Sequence, residues 1–366
     1  MRLISTLIAT IVAGTYPGYG QSSSSYVIST IAGSVGVRSA GLRLTGIGGS
    51  HLCRDLNEER RGDGGPAQAA QLALPIGLAI DADGNLYIAD LCDGRVRKIT
   101  PTGVIHTVAS VPYVNRLAVD NERSLYASYY HYKFHVVRKI SPWTDVAGAG
   151  KRGFGGDGGP AIRSNLNWPT GIAIDAQKNV YIADIQNHRV RKVTPEGMIT
   201  TFAGTGRRGY GGDGGPATQA QLSLPYDVAI DSIGNLYIAD SGNHRIRKVD
   251  AKGTITTIVG TGKAGFSGDG GPATAAQIKS PLRGVAVDGE GNVFFVDGGN
   301  VRLRKVTASG TIKTIAGTGE SGFGGDGGPA TSAQIRQPTA IVCDNSGNIY
   351  FVDSWNGRVR KLTPAP

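Results

Sequence analysis

The chain is written in short apolar runs of strand length, each closed by a polar turn, and no run is long enough to make a helix. In one representative stretch the runs are Gly171 to Asp175, Val180 to Asp184, Arg189 to Val193 and Met198 to Ala203, separated by AQKN, IQNH and TPEG. Asp, Gly, Asn and Pro in the first and third connections supply the backbone angles of tight hairpins. The pattern predicts a four-stranded antiparallel sheet, and it recurs. PIGLAIDADGNLYIADLCDGRVRKITPTGVIHTVAS from Pro75, PTGIAIDAQKNVYIADIQNHRVRKVTPEGMITTFAG from Pro169 and PYDVAIDSIGNLYIADSGNHRIRKVDAKGTITTIVG from Pro225 are the same text.

The phrase GDGGPA marks the period, with its Asp at Asp63, Asp157, Asp213, Asp269 and Asp326; the last four are 56, 56 and 57 residues apart. A repeat of this length is one supersecondary unit that buries its faces only against its neighbours. A degenerate copy without GDGGPA runs from Val111 to Gly148, so there are six units: 75–110, 111–148, 169–204, 225–260, 281–317 and 338–364. The sixth stops after three strands at RKLTPAP, and Ser25 to Gly33 (SYVISTIAG) matches the missing fourth, compare GTIKTIAG from Gly310. The two chain ends meet in one blade. Such a swap removes the open sheet edges of a stack and predicts an all-β, six-bladed β-propeller.

The wording IADxxNHRVRKV, followed by GxITTxAG and GDGGPA, resembles the NHL-repeat family, and the GDGGPA variety looks like the NHL domains of teneurins and secreted bacterial proteins. The resemblance covers about residues 25 to 366. It implies the propeller fold and leaves activity open, because the family includes scaffolds, ligand-binding sensor domains and a few lyases.

Residues 1–20 carry a single Arg2, the apolar stretch Leu3 to Gly14 and small residues before Gln21, which reads as a signal peptide, and no other stretch is apolar enough to span a bilayer. Residues 21–366 then form one domain, interrupted by an insertion at 34–61, and the expected location is secreted or periplasmic. Of three cysteines, Cys343 fills the first-strand slot of Ile80, Val119, Ile174, Ile230 and Val287, and reads as a buried thiol. Cys53 in the insertion and Cys92 in the second connection of the first blade emerge on one face and are expected to form a disulfide. The net charge is +10, but 17 of the 38 basic residues belong to the RxRK motif of the third strands and are spread around the ring, so no nucleic-acid partner is expected.

Candidate chemistry is weighed against repetition. Asp81, Asp120, Asp175, Asp231, Asp288 and Asp344 end the first strands and are expected to cap the next turn. Asp90, Asp184, Asp240, Asp297 and Asp353 end the second strands, four of them followed by Asn187, Asn243, Asn300 or Asn356; they fix loops or, alternatively, bind ligand at the channel mouth. GDGGPA has no Lys for phosphate and too few carboxylates for calcium, and DGGPATxAQL reads as the start of a short helix. Phe154, Tyr210, Phe266 and Phe323 before it are expected to pin each loop to its blade, with stacking on sugars the other reading. His131 or His135 with His188 and His244 could converge on a metal. The least repetitive surface is blade two, where YASYYHYKFH replaces IADxxNHR beside the insertion; Tyr129, Tyr130, His131, Tyr132 and His135 there are candidate ligand residues of a cleft, or else fill space left by the missing loop. The function expected from these readings is a monomeric, cofactor-free binding propeller for a glycan or protein, held on the face bearing the GDGGPA loops. The alternative is a metal-dependent lyase or lactonase with its site at the mouth of the central channel.

Overall fold

The computed structural model describes residues 25–34, 61–129 and 134–365. The expected leader, Cys53 with nearly all of the insertion, and Tyr130, His131 and Tyr132 lie outside these residues. Each apolar run becomes a strand, because alternate side chains pack against the neighbouring blade. In the third blade the strands are Pro169–Ile174, Val180–Asp184, Arg189–Val193 and Met198–Ala203, antiparallel throughout and ordered from the axis outwards. Six such sheets surround the axis. Their innermost strands, Pro75–Ile80, Val114–Val119, Pro169–Ile174, Pro225–Ile230, Leu282–Val287 and Pro338–Cys343, each touch the next, and the last touches the first.

The core is correspondingly six interblade layers and not one central nucleus. Ala173, Tyr181, Ala183 and Val190 of the third blade, for example, pack against Val228, Leu236, Ile238 and Val249 of the fourth. Closure is as the sequence predicts. Tyr26–Ala32 pairs antiparallel with Arg358–Pro364, and the Ala365 N–H donates to the Ser25 carbonyl at 2.7 Å.

The GDGGPA segments correct one expectation. They do not open α-helices: four of the five make a single 3-10 turn, at Ala161–Arg163, Ala217–Gln219, Ala273–Ala275 and Ala330–Ser332, with Pro at the N-cap and no side-chain cap, and the copy at Asp63 leads into a plain turn. The aspartate that would have capped a helix is drawn instead to an arginine of the blade. The preceding Gly-Gly-Pro lies along the outer strand of that blade, bridging Pro66 to Val104, Pro216 to Thr254, Pro272 to Thr311 and Pro329 to Val27, while Gly159–Pro160 forms a fifth strand. The loop therefore covers a sheet edge that would otherwise be open to pairing.

Candidate functional site

The repeated charges are consumed by the scaffold. The second arginine of each RxRK, namely Arg97, Arg191, Arg247, Arg304 and Arg360, is fully buried. Arg247 is representative. One of its Nη groups reaches Asp213 of the GDGGPA loop at 2.5 Å and the other Asp240 at 3.4 Å, while the Gln221 and Gly211 carbonyls accept further bonds. Asp240 also accepts from the Ser223 N–H and the Asn243 amide. Asp90, Asp184, Asp297 and Asp353 are equally enclosed, each holding backbone N–H groups of the loop before its own blade. Burial pushes Asp90 up to about 6 despite the Leu74 and Ala73 amides. With no exposed surface, these carboxylates are engaged by backbone N–H groups, by the buried arginines and by the neighbouring Asn side chains, and so brace the blade from within. The first-strand aspartates cap turns: Asp175 accepts from the Asn179 N–H and side chain and from the Tyr181 hydroxyl.

Phe154, Tyr210, Phe266 and Phe323 each carry the first arginine of the following RxRK on one ring, at 3.6–3.9 Å from the centroid, and the buried second arginine farther out. The rings thus clamp the loops, with roughly two-fifths of each left exposed. His188, His244 and His135 occupy one position on three blades, and each Nδ1 accepts a backbone N–H, from Leu224, Ser280 and Trp168. An N–H can only donate, so each Nδ1 is unprotonated. Burial, then nearby cations, lower both His188 and His244. Among the described residues no three His, Cys, Asp or Glu side chains meet as a metal site, and His131 lies outside them.

Of the candidate cleft residues of blade two, Tyr129 and His135 lie within the described residues, whereas Tyr130, His131 and Tyr132 lie outside them. Tyr129 stands where other blades have the buried aspartate; it is itself buried and lies under the Arg138 guanidinium, and His135 is buried as well. Neither can meet a ligand there. Cys92 is buried, and its expected partner Cys53 is outside the described residues. Cys343 is unpaired, donates to the Val287 carbonyl and is pushed up to about 12 by burial.

A different site was not singled out from the sequence. The third residue of the innermost strand is Gly77, Gly171, Gly284 or Ala340 in four blades, because it faces the crowded axis, but it is Arg116 in the second and Asp227 in the fourth. The Arg116 guanidinium crosses the channel and donates to the carbonyls of Ile76, Arg283 and Thr339 in blades one, five and six. Asp227 is enclosed beside it and accepts the Val285 N–H at 3.0 Å; burial drives it up to about 6 against the pull of Arg116. The arginine is a plug. Above it lies a cavity of about 360 Å³, lined by Trp168, Tyr226, Trp355, Arg283, Gln186 and Gln337 among others. It opens on the face where the connection from one blade's outer strand reaches the next blade's inner strand. The Arg and Asp that break a slot of small residues were the available sequence signal.

Residues 37–118, 144–209, 204–266 and 262–323 match the family profile described as the teneurin NHL domain. Human teneurin-1 is 28% identical over 347 residues, covering 82% of this chain and 12% of teneurin-1, so the chain spans a small part of that relative's length. Among solved structures, an auxiliary nutrient binding protein from Bacteroides thetaiotaomicron superposes with a TM-score of 0.64 at 16% identity, over 93% of this chain and 76% of its own. A streptogramin B lyase superposes with a TM-score of 0.51 at 15% identity, over 85% and 96%. At these identities the solved structures share the fold alone.

Proposed function

From the premise that the chain belongs to the teneurin NHL-domain family, we propose that it is an exported, non-catalytic binding propeller whose glycan or protein ligand enters the plugged mouth of the central channel. The observation that carries the reading is the cavity lining. Tyr226, Trp355 and Arg283 have no counterparts of their kind around the ring, and a residue that the repeat does not demand is free to serve a ligand. Aromatic faces beside amides suit sugar rings or peptide side chains. The nutrient-binding neighbour agrees with a binding role, and export and a Cys53–Cys92 bond belong to the same proposal.

The lyase or lactonase alternative needs three metal ligands on this face, which the described residues do not bring together. The test is a glycan and peptide array probed with the purified full-length protein and with Trp355→Ala. A hit weakened about tenfold or more by the substitution supports the reading; hits that are indifferent to Trp355→Ala and Tyr226→Ala overturn it.

A further inference from the structure

We propose that the cavity is selective for a carboxylate-bearing sugar, a uronic acid at the end of a glycan, with Arg283 as the carboxylate's partner. The inference rests on the binding reading above and narrows it. No Asp or Glu lines the cavity, whereas Arg116 and Arg283 both do. Arg116 commits both of its Nη groups to three carbonyls and faces the enclosed carboxylate of Asp227. Arg283 has no ion pair among the described residues; its contact is with the Tyr226 ring, 5.8 Å from the centroid, whose neighbourhood it shares with Arg116 at 5.5 Å. Two guanidiniums are thus set against one buried carboxylate, which leaves the cavity with unspent positive charge. A planar guanidinium recognises a carboxylate by two parallel bonds.

Two further donors stand ready. Asn115 and Thr339 line the same cavity at 1% and 2% exposure, and the Asn115 Nδ2 and Thr339 Oγ1 have no hydrogen-bond partner among the described residues. A buried polar atom left unpaired costs free energy, so its presence at a cavity wall points to a hydroxylated or anionic occupant. Trp168, Tyr226 and Trp355 supply flat apolar faces for the C–H side of a pyranose, which a small inorganic anion would not use.

The probes are glucuronate, its uncharged methyl ester and methyl glucoside, each titrated calorimetrically into the full-length protein, into Arg283→Gln and into Trp355→Ala. Arg283 holds no ion pair, so its replacement leaves the scaffold intact, and unchanged thermal unfolding checks this. The expected result is glucuronate binding that weakens with added salt and falls about tenfold or more in Arg283→Gln, while the ester binds weakly and equally to both proteins. Equal affinity for glucuronate and its ester, or glucuronate binding indifferent to Arg283→Gln, overturns the carboxylate assignment. If neutral sugars still bind and Trp355→Ala abolishes that binding, the broader binding reading survives. If array ligands bind with no effect of Trp355→Ala, both fail.

Discussion

At the residue scale, three basic side chains in a row perform three different tasks. In RIRK of the fourth blade Arg245 stacks on Tyr210, Arg247 is buried between two aspartates, and Lys248 lies over Tyr237. Their replacement therefore has unequal effects. Arg247→Met strands the fully buried Asp240 and is expected to cost about 3–5 kcal/mol in urea unfolding, whereas Arg245→Met loses a partly exposed stack and two bonds to the Asn243 and Thr261 carbonyls and costs about 1–2 kcal/mol. The histidines give a pH signature. The folded forms of His188 and His244 are lowered, so the folded protein holds fewer protons than the unfolded chain. Their contribution is complete above the unfolded value near 6.5 and is lost as pH falls through the lower folded values. The buried aspartates, with folded values raised, act in the opposite direction over the same range, so the histidines are read by difference: the stability of the parent relative to the His188→Asn, His244→Asn double variant should fall as pH is lowered from 7.5 to 5 in urea unfolding. None of these tasks was legible from local pattern, since the aspartate partner of Arg247 lies 34 residues upstream. A signal existed nonetheless. The blade that drops GDGGPA also replaces the first arginine by Val136, and its Arg138 pairs with the nearby Asp145 instead.

At the scale of the element, the glycine-rich loop is a clip and its glycines are not equivalent. Gly212 and Gly214 both have positive φ, +84° and +82°. A Cβ on Gly212 would stand 2.7 Å from the Ala220 Cα, because the loop passes against the 3-10 turn that follows it, while a Cβ on Gly214 would meet nothing within 4 Å. Gly214→Ala should then cost about 1–2 kcal/mol for the backbone angle alone, and Gly212→Ala roughly 2–4 kcal/mol, since backbone must move as well. Equal effects in thermal or urea unfolding would mean that the loop does not press on the blade. The strands were legible because apolar alternation is a local consequence of a half-buried sheet. The loop was misread as a helix start because Asp-Gly-Gly-Pro-Ala fits a cap locally, while the arginine and the outer strand that claim it are distant in sequence.

At the scale of the whole molecule, the ring was legible and the contents of its channel were not. The count of blades follows from the period, and the closing strand from the likeness of SYVISTIAG to GTIKTIAG. Arg116 reads as one more cation, because the carbonyls that hold it lie 40, 167 and 223 residues away. Closure itself can be tested. If Tyr26–Ala32 acts only as the fourth strand of the sixth blade, the ring has no privileged starting point, and any blade can be closed by a strand from the other end of the chain. Ser25 and Ala365 are already hydrogen-bonded, so a short glycine linker can join them, and new ends can be opened between Ala308 and Ser309, in the exposed turn before the outer strand Ile312–Ala316. That strand would then close the fifth blade as Tyr26–Ala32 now closes the sixth. The permuted protein should unfold in a single transition within about 1–2 kcal/mol of the parent. Deleting 25–33 instead removes Tyr26, Ile28 and Ala32 from the interblade layers and bares the edge of Arg358–Pro364, and should lower the midpoint sharply and promote self-association. A truncated protein as stable as the parent would show that the ring is held by interblade packing without its closing strand.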